Sequence, residues 1–194
     1  MRNQTESILS ILSFNILYGG THFGQPLNQT AKVIETARAD VTVLCEHMGS
    51  AQPLADLLAL YCHEVTAPPY RDSVAILSRF PVIETFNHGV RLALTEDETA
   101  CVFGVHLSSS PYQPYQVRDG AFSRVEEVVE SAEMTRGREI DRVLAEISTR
   151  MKKRERVFLC GDFNEPSHLD WTCLLYTSDA ADDTPCVDLG GRRI

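Results

Sequence analysis

Four strand-length apolar runs, each closing on a polar side chain, limit this chain most. Val157-Phe158-Leu159-Cys160 leads into Gly161-Asp162-Phe163-Asn164. Val43-Leu44-Cys45 ends on Glu46, Ser13-Phe14 ends on Asn15, and Val105 precedes His106-Leu107. Short apolar runs of this kind read as buried strands. A polar residue at the end of such a strand sits at the rim of a sheet, where connecting loops carry function. At the last run, a glycine turn is expected after Cys160, with Phe163 anchoring it. Asp162 and Asn164, two apart in extended backbone, are expected to project to one side. An aspartate next to an amide in that position suits water activation beside a metal-bound phosphate.

The intervening segments alternate helix and strand. Ile8 to Ile16 reads as a first strand closed by Gly19-Gly20. Asn28 is placed to cap a helix running to about Arg38, with Ala31, Ile34 and Ala37 on one face. Val41 to Cys45 is a short buried strand, Leu54 to Tyr61 a helix with Cys62 beside its end, and Val74 to Leu77 another strand. Further strands are expected around Val82-Ile83, Val90 to Leu94 and Cys101 to Leu107. Ser108 to Gly120, rich in Pro, Tyr and Ser, reads as a loop. A long helical stretch from about Arg124 to Lys153 is broken near Gly137, and Ile140, Val143, Leu144, Ile147 and Met151 form its apolar face. The pattern is that of one α/β domain without internal repeats.

The composition permits such a core. The chain has 194 residues, 43% hydrophobic and 23% charged, as in ordinary globular domains. Its formal charge of −9 disfavours non-specific attraction to nucleic acid. No run is long and apolar enough to span a membrane, and Met1 to Glu6 lacks the apolar stretch of a signal peptide, so a cytoplasmic location is expected. Six cysteines show neither zinc spacing nor a C-x-x-C pair, and Cys45, Cys62, Cys101 and Cys160 read as buried free thiols.

Residues 173–194 differ in character. Reading TGT CTC TTA TAC ACA TCT GAC GCT GCC GAC yields Cys173 through Asp182. Reading GTA GAT CTC GGT GGT CGC CGT ATC yields Val187 through Ile194. Both blocks match a transposon-type sequencing adapter in one frame, with an index-length gap between them. The expected organisation is therefore a partial domain over 1–172 and a non-native tail over 173–194. The remainder keeps 16 basic and 23 acidic residues, a formal charge of −7.

The segments Ser13-Phe14-Asn15-Ile16, Leu44-Cys45-Glu46, Val74 to Val82 (Val-Ala-Ile-Leu-Ser-Arg-Phe-Pro-Val), Val105-His106-Leu107 and Gly161-Asp162-Phe163-Asn164 occur in this order. Together they make the chain resemble the endonuclease/exonuclease/phosphatase superfamily, with its deoxyribonuclease I-like fold. The Pro111-Tyr112 and Pro114-Tyr115 pairs resemble its phosphoesterase-like bacterial branches. The resemblance implies a four-layer α/β-sandwich, two packed mixed β-sheets flanked by helices. It also implies a divalent cation, Mg²⁺ or Mn²⁺, on Glu46 with Asn15 beside it. Asp162 would orient and deprotonate the attacking water, Asn164 would fix Asp162 and the phosphate, and His106 would donate to a non-bridging oxygen. Arg138 is a weaker candidate for phosphate contact.

One departure matters. Superfamily members end in a Ser-Asp-His-type segment that completes the site, and none occurs here. His168-Leu169-Asp170 follows Asp162 too closely. The expectation is that the final strands and this segment are missing and that the polypeptide as written is inactive. The expected activity of its parent is hydrolysis of a small or lipid-derived phosphate ester. A metal-dependent nuclease is the first alternative, although Arg150, Lys152, Lys153, Arg154 and Arg156 make only one short basic run. A non-catalytic binding module on the same fold is the second. Oligomeric state is open.

Overall fold

The computed structural model describes residues 9–66 and 73–165. The chain divides into two compact units, Met1–Phe163 and Asn164–Ile194. Every element below belongs to the first unit. The adapter-like tail and His168-Leu169-Asp170 lie outside the described residues.

Among the described residues, eight strands form two sheets of four. The first contains β1 (Ile11–Asn15), β2 (Val41–Cys45), β3 (Tyr61–Glu64) and β4 (Val74–Ser78), in the order β1-β2-β4-β3. The second contains β5 (Val82–Thr85), β6 (Gly89–Ala93), β7 (Thr99–His106) and β8 (Val157–Asp162), in sequence order. β1 runs parallel to β2 and β7 parallel to β8, while the other neighbours are antiparallel. Both sheets are therefore mixed.

Strand parity separates two cores. Val41, Val43, Val74 and Ile76 join Val90, Leu92, Phe103 and Val105 in one buried cluster, which also takes Val143 and Ile147. Leu44, Ala75 and Leu77, alternating with the first set, pack in a second cluster with Ala31, Ile34, Leu54 and Ala55. The latter four come from α1 (Leu27–Ala37) and α2 (Ala51–Leu58). Val143 and Ile147 come from α5 (Arg138–Lys152), which covers the second sheet. The layers run helix, sheet, sheet, helix, as the resemblance implies. Contact between the sheets is close at Gly104, where an added Cβ would lie 2.6 Å from Val74 Cγ1 and 3.1 Å from Val43 Cγ1.

Several local expectations are corrected. The first helix starts at Leu27 with Pro26 as its N-cap and no side-chain cap, so Asn28 lies inside it. Proline supplies the extended entry geometry without a capping oxygen. The second helix is Ala51–Leu58, turned off by Ala59 at φ 54°, and Tyr61–Glu64 is a strand. Its backbone is claimed by β4, with Cys62 opposite Leu77. The loop after His106 contains α3 (Gln113–Arg118), with Pro114 in its first turn. The long helix is α4 (Val125–Ala132), a π-turn over Glu133–Gly137, and α5; Gly137 ends the irregular turn. Gly161 does not turn the chain, because β8 continues through it to Asp162.

Candidate active site

Register brings the polar strand ends together. Asn15 pairs with Cys45 in the β1–β2 ladder, two positions beyond Ser13 opposite Val43, so it shares the face that meets the second sheet. His106 lies two positions beyond Gly104, the residue that touches the first sheet, and pairs directly with Asp162. Parity therefore aims His106 and Asp162 at Asn15. Glu46, one residue past β2, follows.

The Asn15 side chain joins the two sheets. Its Nδ2 donates to Glu46 Oε1 at 2.9 Å and to Asp162 Oδ2 at 3.0 Å. Its Oδ1 accepts from the Leu17 amide at 3.0 Å. Two carboxylate acceptors on one atom fix that atom as the amide nitrogen. Tyr18 N donates to Glu46 Oε2 at 3.2 Å. His106 Nε2 stands 3.9 Å from Glu46 Oε1, and His106 Nδ1 lies 2.6 Å from Ser73 Oγ. Thus Asn15, Glu46, His106 and Asp162 form one cluster. β8 ends at Asp162, and Asn164 adopts φ 47°. Phe163 is 37% exposed rather than an anchor.

The backbone around the cluster is strained. Leu17, Tyr18, Glu46 and Met48 all have φ between 46° and 58°. Arg38 and Ala59, also left-handed, merely end helices. The four at the site end none, and each such conformation costs a bulky residue about 1–2 kcal/mol. Strain of this kind collects where function fixes the geometry.

Beneath the site, Cys45 Sγ donates to the Val105 carbonyl at 3.3 Å. Burial pushes its thiol up to about 12, and the charges of Asp162 and Glu46 push the same way. This thiol is a packing group rather than a nucleophile.

The segment after His106 is held by residues absent from the sequence reading. Arg136, in the π-turn, is 3% exposed. Its Nη1 donates to the carbonyls of Ser108 at 3.0 Å and Pro111 at 3.2 Å, and its Nη2 to Gln113 Oε1. Glu139 accepts from Ser108 N at 2.9 Å and Ser108 Oγ at 2.5 Å. Arg138, the arginine singled out in the sequence, lies two residues away and makes none of these bonds. Arg136→Met leaves these acceptors without their cation. It is expected to lower stability by about 2–3 kcal/mol, read from urea unfolding. A change under about 0.5 kcal/mol would contradict that role.

The donor set is compatible with a hard cation. Glu46 and Asp162 offer carboxylate oxygens that converge on one amide, and no thiolate lines the cluster. Among the described residues, no three His, Cys, Asp or Glu side chains enclose an ion.

Two stacked mixed sheets thus carry an acidic, amide-bridged cluster at their strand ends. The sequence matches the model of the Endonuclease/Exonuclease/phosphatase family over residues 12–193, and the chain belongs to that family. The chain is 29% identical over 182 residues to the uncharacterized protein F14F9.5 of Caenorhabditis elegans, covering 87% of this chain and 57% of that protein. It therefore spans little more than half of that relative. In fold it is similar to the human Nocturnin catalytic domain with bound sulfate anion, with TM-score 0.52 and 14% identity, over 88% of this chain and 70% of that one. It is also similar to ANGEL2, a 2′,3′-cyclic phosphatase, in complex with adenosine-2′,3′-vanadate, with TM-score 0.56 and 18% identity, over 96% and 64%. Truncated Caenorhabditis elegans TDP2 gives TM-score 0.50 at 18% identity, over 81% and 63%. At these identities the structures speak for the fold. No helix among the described residues is long and apolar enough to cross a membrane.

Proposed function

We propose that the whole protein is a divalent-metal-dependent phosphoesterase acting on a small or lipid-derived phosphate ester. The observation that carries this reading is the Asn15 amide, which ties Glu46 to Asp162 across the two sheets. Glu46 would hold Mg²⁺ or Mn²⁺, with Asn15 keeping its carboxylate in place. When bound, the cation supplies charge stabilisation to the phosphate and its leaving oxygen. Asp162 orients the attacking water and accepts its proton. His106 donates to a non-bridging oxygen as negative charge grows there. Asn164 assists Asp162 in this reading. The formal charge of −9 supports a small ester over a nucleic acid.

The test is hydrolysis by the full-length gene product of a panel of monoesters, diesters, a 2′,3′-cyclic phosphate and DNA, with and without chelator. The expected result is hydrolysis of a small ester that chelation abolishes and Mg²⁺ or Mn²⁺ restores. Preferential, salt-sensitive cleavage of DNA would favour a nuclease instead. Metal binding with no hydrolysis across the panel would leave a binding module.

A further inference from the structure

The site contains one contact that the proposed roles leave unused. Ser73 lies directly before β4, the central strand opposite β2, and its hydroxyl stands 2.6 Å from His106 Nδ1. The other ring nitrogen, Nε2, faces Glu46 Oε1 at 3.9 Å. The imidazole is thus held between a neutral hydroxyl and a carboxylate, one on each nitrogen.

A neutral imidazole carries one proton, and its two nitrogens then play opposite parts. With the proton on Nδ1, the ring donates to Ser73 and turns the Nε2 lone pair toward a carboxylate oxygen. That arrangement sets two electron-rich atoms against each other. With the proton on Nε2, the Ser73 hydroxyl donates to Nδ1 and the N–H points toward Glu46. Only the second arrangement makes both contacts attractive. A hydroxyl suits this place because it can donate without bringing a charge.

We propose that Ser73 is the positioning residue for His106, fixing the neutral ring as the Nε2–H tautomer. In that tautomer His106 presents a hydrogen-bond donor toward Glu46. A donor facing this space is what a phosphate oxygen would take up. The catalytic consequence rests on the phosphoesterase reading, whereas the tautomer itself does not. Ser73 escapes sequence analysis because a serine before a strand carries no signal of its own.

The test is long-range ¹H–¹⁵N correlation of the ring nitrogens in the full chain, recorded where the ring is neutral, with His106 assigned by the loss of its signals in His106→Gln. Wild-type protein is expected to show a proton on Nε2 and none on Nδ1. Ser73→Ala is expected to give a mixture of both tautomers, and Ser73→Thr to keep the wild-type pattern. In the active full-length protein, Ser73→Ala is expected to lower kcat about 10-fold or more at little-changed KM, the range for groups that orient a functional histidine, with Ser73→Thr restoring most of it. A wild-type ring protonated on Nδ1 would overturn the proposal, as would an unchanged tautomer in a folded Ser73→Ala protein. If the tautomer shifts as expected but the wild type hydrolyses no ester, the phosphoesterase reading fails and the Ser73 assignment stands.

Discussion

Asp162→Asn is expected to lower kcat of the full-length protein by about 10²- to 10⁴-fold, the usual worth of a positioned general base. The substitution keeps the shape of the side chain and removes its charge. In the native site Asp162 Oδ2 accepts from Asn15 Nδ2 at 3.0 Å, and an asparagine carbonyl can still accept that bond. Its register opposite His106 is set by the β7–β8 ladder, which the change does not touch. Folding should therefore be nearly normal, and KM should move by only a few-fold. What disappears is the capacity to take a proton from water. Steady-state kinetics with a denaturation curve on the same preparation makes the check. Activity within about threefold of wild type, in a protein of unchanged stability, would remove Asp162 from the role of base. A collapse of stability would instead make its carboxylate a structural partner of Asn15. Glu46→Gln separates the two carboxylates further. Lost metal binding is expected there, whereas Asp162→Asn should retain much of it.

The strand ends are legible in the sequence because each is a local signal, an apolar run with a polar stop. Asn15, Glu46, His106 and Asp162 could be chosen on that basis. Their mutual approach could not, since it depends on the pairing of β1 with β2 and of β7 with β8 across 30 and more positions. Residues whose role is set only by long-range contact escape for the same reason. Tyr61-Cys62-His63-Glu64 has no strong strand pattern and becomes β3 through its pairing with β4. Gln113, in a stretch that reads as loop, is fully buried because Arg136, Ser131 and Thr135 satisfy its amide. Arg136 and Arg138 look alike in sequence. The π-turn over Glu133–Gly137 shifts the helical phase and turns Arg136 inward. Sequence periodicity assumes a regular helix, so it cannot show which arginine is buried.

Gly161→Ala is expected to destabilise the protein by about 3 kcal/mol or more, combining overpacking with backbone strain. Gly161 lies within β8, opposite Val105 of β7, at φ 144°. An added Cβ would be driven into the Val105 carbonyl oxygen and would stand 2.8 Å from both the carbonyl carbon and the amide nitrogen of Val105. These are backbone atoms of a central strand, so no side chain can swing aside to make room. Relief requires β8 to move away from β7 at the pair adjoining His106 and Asp162. In the full-length protein, any folded fraction is therefore expected to lose the proposed hydrolysis as well. Gly120 provides the control, with φ 73° and nothing within 4 Å of an added Cβ. Gly120→Ala should cost only the left-handed penalty of about 1–2 kcal/mol. Urea unfolding of both variants checks the contrast. A cost at Gly161 no larger than that at Gly120 would mean that the close β7–β8 approach is not what demands glycine. The residue that reads in sequence as the turn before the aspartate would then owe its identity to something other than the contact that aligns Asp162 with His106.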